Sequence, residues 1–147
     1  DYYSGTAVTT KEAILEPGTA KSETGDGLGA LSSRFINVDQ IPWKPTPTPG
    51  IDMKVLMHQP ETGLLTALFR WQPGTVLPLH EHVEIEQTYV LEGSIVDEEG
   101  EVRAGDYVWR PRGNRHIARA PNGALVISFF IKPNRFLEGD LAGQELK

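Results

Sequence analysis

The sequence predicts an all-β sandwich or closed barrel, one domain with an amino-terminal extension. Two observations carry this expectation. Past residue 50, short runs rich in β-branched and aromatic residues alternate with turn signals spaced about ten residues apart. No helical heptad, internal repeat or second apolar core interrupts them. The 147 residues suffice for one domain to bury most of the surface its unfolded chain would expose.

Residues 1–33 are rich in Gly, Ser, Thr and Ala without sustained periodicity, so they are expected to form an arm. "KEAILE" (11–16) offers one helical turn within it. The domain proper is expected over 34–147. It opens with "IPWKPTPTPG" (41–50), whose four prolines exclude a helix and predict an extended run over the surface. Strands are then expected at "IDMKVLMH" (51–58), "GLLTALFRW" (63–71), "EQTYVLEG" (86–93), "DYVWR" (106–110) and "ALVISFFI" (124–131). The segments "QPETG", "QPGT", "DEEG", "RAGD", "PRGN" and "PNG" supply the turns. Several of these strands are apolar on both faces and need cover on both sides. A homodimer, with the arm or first strand crossing to the neighbour, meets that need.

Composition narrows the function classes. A net charge of -6 argues against a nucleic-acid partner, which asks for a basic face. The absence of cysteine excludes disulfides, thiolate metal sites and cysteine nucleophiles, and suits a reducing cytoplasm. The longest apolar stretch, "ALVISFFI", is far short of the roughly 20 residues of a spanning helix. The amino terminus lacks the charged start and apolar run of a signal peptide. A cytoplasmic protein with neither membrane nor nucleic-acid partner is the expectation.

Chemistry concentrates in "HEHVEIEQ" (80–87), which holds two of the chain's four histidines. On a strand, residues two apart point to one side, so His80 and His82 face together, and Glu86 keeps their parity if the strand turns and continues. Buried without partners, such groups would each lose hydration at a cost of roughly several kcal/mol. A divalent cation removes the problem, since imidazole nitrogen and carboxylate oxygen both ligate first-row metals.

From Gly74 to Gly93 the chain reads G-TVLPL-H-E-H-VEI-E-QTYVLE-G, and from Gly105 it reads G-DYVWR-P-R-G-NR-H. These segments resemble the two motifs of the cupin superfamily, over roughly residues 50–132. Where the second motif closes on asparagine, this chain has Ala120, with Asn122 nearby. The resemblance implies a jelly-roll barrel binding one divalent metal per chain through His80, His82, Glu86 and His116. Fe2+ is favoured, with Zn2+, Ni2+ and Mn2+ as the other candidates. Gly93 and Gly105 are expected to close tight turns, and Pro111 and Gly113 to shape the turn that delivers His116.

Within cupins, "EQTYVLEGSIVDEEGEVRAGDYVWRPRGNRH" is most similar to the cupin domain of ChrR-type anti-sigma factors and to standalone dioxygenases of the acetylacetone dioxygenase sort. The implied function is a non-haem, metal-dependent dioxygenase acting on a small-molecule diketone or hydroxyketone. Those diketone enzymes use three histidines without a glutamate ligand, so Glu86 is a departure. The alternative is a ChrR-like metal- or ligand-binding sensor without catalysis; a metal-dependent isomerase or lyase uses the same scaffold. The zinc domain with which ChrR-type factors hold a sigma factor needs cysteine, so the anti-sigma role itself is not expected.

Other conspicuous residues have plainer readings. Arg103, Arg110, Arg112, Arg115 and Arg119 are expected to balance the acidic "DEEGE" turn rather than to clamp an anion at the barrel mouth. Glu81 and Glu84 read as solvated, His58 as a strand end, and Trp43, Trp71 and Trp109 as packing residues, any one of which could line a pocket.

Overall fold

In the computed structural model, residues 31–137 and Gly143 are described. The proposed arm, with its helical turn at 11–16, lies outside the described residues except for 31–33. The strands are β1 (Lys44–Pro45), β2 (Ile51–Gln59), β3 (Leu64–Trp71), β4 (Thr75–Glu81), β5 (Glu86–Val96), β6 (Glu101–Arg103), β7 (Tyr107–Arg110), β8 (Arg115–Ala120), β9 (Ala124–Phe130) and β10 (Arg135–Phe136). A single 3-10 turn, Val38–Gln40, is the only helical element among the described residues.

All pairings are antiparallel, and they form one sheet curled into two facing halves. The order β1-β2-β3-β9-β5-β8-β4-β10 runs through it, with β6 and β7 also paired to β5. Strand β5 joins the halves. Its first part pairs with β9 and β7, while its last residues, Ser94 to Val96, pair with β6 and touch β8. This is the jelly roll that the motifs imply. The five expected strands are present, and β5 runs three residues past its expected end.

Gly93 explains that extension. It lies within β5 at φ +69, where the strand passes from one half to the other, rather than in a hairpin turn. A Cβ there would stand 2.1 Å from the Gly123 carbonyl oxygen, so both conformation and close approach demand glycine. Gly105 does sit in the expected tight turn, between β6 and β7.

The apolar core lies between the halves. Ile51, Met53, Leu65, Phe69, Trp71, Val90, Val126 and Phe130 pack there with Ile95, Val102, Ala118 and Ala120. Alternation puts these residues inside, as in the burial pattern of β3, where Leu65, Ala67, Phe69 and Trp71 are buried. On the opposite face, Tyr89, Tyr107, Trp109 and Phe129 are exposed, which accounts for the strands that read as apolar on both sides.

The proline-rich run does more than cross the surface. Lys44 and Pro45 pair with the edge of β2, where missing N–H groups are tolerated. Thr48 is buried, and Thr46 is tied to Ile51 through its backbone N–H and its hydroxyl. Upstream, Lys54 donates to the Val38 carbonyl at 3.0 Å and lies over the Trp43 ring with Arg70. The segment thereby closes part of the barrel interior.

Candidate metal centre

His80 comes from β4 and His116 from β8, directly opposite each other in the ladder. The register slips between Leu77 and His80, and this irregularity changes the inward parity of β4. Before it Thr75 and Leu77 face the interior; after it His80 and His82 do. Pro78 sits at the irregular point, where its missing N–H breaks no ladder bond. His82 lies just past the strand, held by backbone bonds in both directions. Its N–H donates to the Asn114 carbonyl at 2.9 Å, and Gly113 N–H donates to its carbonyl at 2.8 Å. The Pro111–Asn114 turn therefore fixes His82 as well as delivering His116.

The three rings are buried, and their ligand nitrogens lie within 4.8 Å of one another. Two tautomers follow from the neighbours. His80 Nδ1 is 2.8 Å from the Pro78 carbonyl, and His116 Nδ1 is 2.7 Å from Asp97 Oδ2. An acceptor at Nδ1 places the proton there and leaves a lone pair on Nε2. His82 Nε2 stands 2.9 Å from His116 Nε2. His82 Nδ1 is 2.9 Å from Glu86 Oε2, within ion-pair distance.

Glu86 opens β5 beside this cluster. Its Oε1 accepts from the Thr88 hydroxyl at 3.0 Å, and its Oε2 from the Asn134 amide at 3.3 Å. Thr88 in turn shares a 2.7 Å hydrogen bond with Ser128. Burial raises the Glu86 pKa, but His82, His80 and Asn134 outweigh it and hold it at about 2. His80 is displaced to about 4, first by burial and then by its imidazole neighbours, against the opposing Pro78 bond. His116 is also lowered, by burial first, although Asp97 pulls the other way. Near neutral pH the site thus presents neutral imidazole at His80 and His116 beside a carboxylate.

Such a set suits a metal. Lone pairs on His80 and His116, a third ring nitrogen at 2.9 Å and an adjacent carboxylate are good donors for a first-row divalent ion. The three histidines could hold one. They line a cavity of about 80 Å³, room for about five waters or one small organic molecule. Its remaining wall is largely apolar and includes Leu77, Phe69, Val126 and Phe130, with Arg110 and Asn134 among the polar members.

Of the other conspicuous residues, Trp71 lines this cavity, Trp43 stacks under Lys54 and Arg70, and Trp109 is exposed. His58 is half-buried on β2. Arg103, Arg110, Arg112 and Arg115 each pair with a carboxylate. Two of those pairs involve Glu81 and Glu84, which are not free in solvent. Sequence reasoning missed Asp97, Thr88 and Asn134. Asp97 was visible only as the first residue of a turn; Thr88 and Asn134 carried no signal.

A family model described as the ChrR cupin-like domain matches residues 32–133. No curated protein matches. Among solved structures, the chain is similar to a candidate acetylacetone dioxygenase from Methylibium petroleiphilum PM1, with 25% identity and a TM-score of 0.71, over 81% of this chain and 90% of that one. An acetylacetone dioxygenase from Acinetobacter johnsonii matches at 19% identity and a TM-score of 0.66, over 85% and 90%. ChrR, in the complex of Rhodobacter sphaeroides SigE with this anti-sigma factor, gives 22% and 0.56, over 64% of this chain and 51% of that one. At those identities the last two likenesses speak for the fold.

Proposed function

The chain belongs to the ChrR cupin-like domain family, and from that premise we propose that it is a mononuclear, non-haem metal dioxygenase acting on a small diketone or hydroxyketone. His80, His82, Glu86 and His116 are the proposed ligands, with Fe2+ as the ion and Zn2+, Ni2+ or Mn2+ as the alternatives. One observation carries the metal reading: buried imidazole nitrogens converge inside a cavity, two of them with Nδ1 committed elsewhere. The similarity to the Methylibium protein supports the substrate class.

When bound, a redox-active ion supplies Lewis acidity toward two substrate oxygens and electrons toward dioxygen. The chain does the rest. Thr88 and Asn134 orient the Glu86 carboxylate through one oxygen each. Phe69, Val126, Phe130 and Leu77 provide a wall that excludes water from the reacting carbons. His80, His82, Glu86 and His116 would hold the ion, which would then supply a Lewis acid able to chelate a 1,2- or 1,3-dioxygenated substrate. Zinc would support binding without oxygenation, because it has no accessible redox change.

The second reading, a metal- or ligand-binding sensor module, is favoured by the family match and by Glu86. The extra carboxylate lowers the charge of the centre and weakens its pull on an acidic diketone. The exposed Tyr89, Tyr107, Trp109 and Phe129 support the homodimer proposal, which sedimentation at micromolar concentration tests. The functional test is oxygen uptake by anaerobically iron-loaded protein against diketones, hydroxyketones and aromatic hydroxyketones. Uptake with cleavage of a carbon–carbon bond, abolished in His116→Ala, is the expected result. Fully loaded protein that consumes no oxygen with any of them favours the sensor.

A further inference from the structure

His80 and His116 have different supports. The Nδ1 of His80 meets a neutral backbone carbonyl, whereas that of His116 meets a carboxylate whose side chain is 1% exposed. Every acceptor position of that carboxylate is used. Asp97 Oδ1 accepts from the backbone N–H groups of Glu99 (2.8 Å) and Gly100 (3.0 Å), closing the β5–β6 turn. Asp97 Oδ2 accepts from His116 Nδ1 and from Arg110 Nη2, both at 2.7 Å. Arg110 is itself mostly buried, and its Nη1 donates to Glu99 at 3.1 Å. Asn114 donates to the other Glu99 oxygen at 3.2 Å while its backbone carbonyl receives His82 N–H. The β5–β6 turn, the end of β7 and the turn before β8 are thus tied together behind two of the three histidines.

We propose that Asp97, braced by Arg110, is the positioning residue for His116, fixing its Nδ1–H tautomer and strengthening Nε2 as a donor toward a divalent ion. The proposal rests on His116 being a ligand. A carboxylate receiving the Nδ1 proton makes the imidazole a stronger base at its other nitrogen and holds the ring plane. Arg110 keeps the carboxylate from turning back to solvent or to the metal itself. Its guanidinium also compensates the buried negative charge, which would otherwise be costly. The acidic turn therefore has a second task beyond balancing arginines: it ties the loop geometry to the metal site.

The isosteric variant separates these roles. In Asp97→Asn the amide oxygen can still cap the turn, but the amide NH2 would face His116 Nδ1. Two donors cannot share that bond, so the ring should move its proton to Nε2. The experiment uses the full chain with Zn2+ as a redox-silent probe. It measures affinity by chelator competition, and the tautomer of His116 in the metal-free protein by imidazole 15N NMR. The expected result is Nδ1–H in wild type, a shift to Nε2–H in Asp97→Asn, and an affinity lower by about 10–100-fold. Arg103→Ala, which breaks an exposed ion pair in the next strand, should change neither. Should Asp97→Asn fail to fold, Arg110→Gln serves, with a smaller loss of affinity expected. Unchanged affinity in a folded variant overturns the proposal, as does a loss of affinity with the wild-type tautomer retained. If His116→Ala abolishes binding while Asp97→Asn does not, only the positioning role fails. If His116→Ala also binds normally, the ligand reading falls with it.

Discussion

Along β8, Ala118 and Ala120 pack into the apolar core, whereas His116, two residues earlier on the same face, lies against His80 and His82. Strand β4 shows the same change, from Leu77 to His80, across its register slip. Both stretches face the interior. The apolar stretch is complete as it stands, because removal of its side chains from water is its own driving force. The histidine stretch is equally buried but sets His82 Nδ1 2.9 Å from Glu86 Oε2 and two Nε2 atoms 2.9 Å apart, beside a cavity. Burial alone does not account for such a set. The three histidines could hold a metal ion there, and the contrast separates the purely apolar part of the barrel from the part that carries ligand nitrogens.

Removing apolar volume should break the first part and spare the second. Phe69 packs edge-on against Phe130, with ring centroids 6.0 Å apart. Phe69→Ala should cost about 3–5 kcal/mol of stability, read by urea denaturation of the metal-free protein, with one metal still bound per folded chain.

Acid should attack the second part alone. His80 has a pKa of about 4 in the fold against 6.5 ordinarily. Between those values the unfolded chain takes up a proton that the folded chain refuses. Stability of the metal-free protein should therefore fall as pH drops from 6.5 toward 4, by on the order of 3 kcal/mol, and this contribution should level off below. Glu86, lowered to about 2 from 4.5, adds a further loss when pH falls through that range. Denaturation midpoints across pH 3–8 check this, and His80→Phe should flatten the upper part of the curve.

A smaller effect is expected where the two parts meet. Thr88→Val removes the hydroxyl that joins Glu86 to Ser128 and leaves the buried Ser128 without that partner. Thermal denaturation should report a loss of about 1–3 kcal/mol, accompanied by weaker metal binding. Loss of stability without change in affinity would mean that Thr88 supports the sheet rather than the carboxylate.

The fold was legible because strand periodicity and turn chemistry are local. The proposed site could be read because His80, His82, Glu86 and His116 keep their spacing within two continuous motifs, and the fold brings the three histidines of that set together. What stayed hidden depends on contacts between distant segments. Gly93 reads as a turn glycine, and only the approach of the Gly123 carbonyl shows that it lets one strand serve both halves. Asp97 reads as the start of an acidic turn, because its tie to His116 exists only once β5 and β8 are brought together at Val96 and Arg119. Asn134 reaches Glu86 across 48 positions of sequence. Thr46 and Thr48, within a proline run expected at the surface, line the cavity because β1 folds back onto β2.

Metal stoichiometry tests the central claim most directly. Wild-type protein and His82→Ala, each purified anaerobically and equilibrated with Fe2+, are compared by elemental analysis, with circular dichroism to verify that both are folded. One ion per wild-type chain and a substoichiometric amount in the β-rich variant are the predicted results. A folded wild-type protein without metal, or a variant that retains its full complement, would contradict the account.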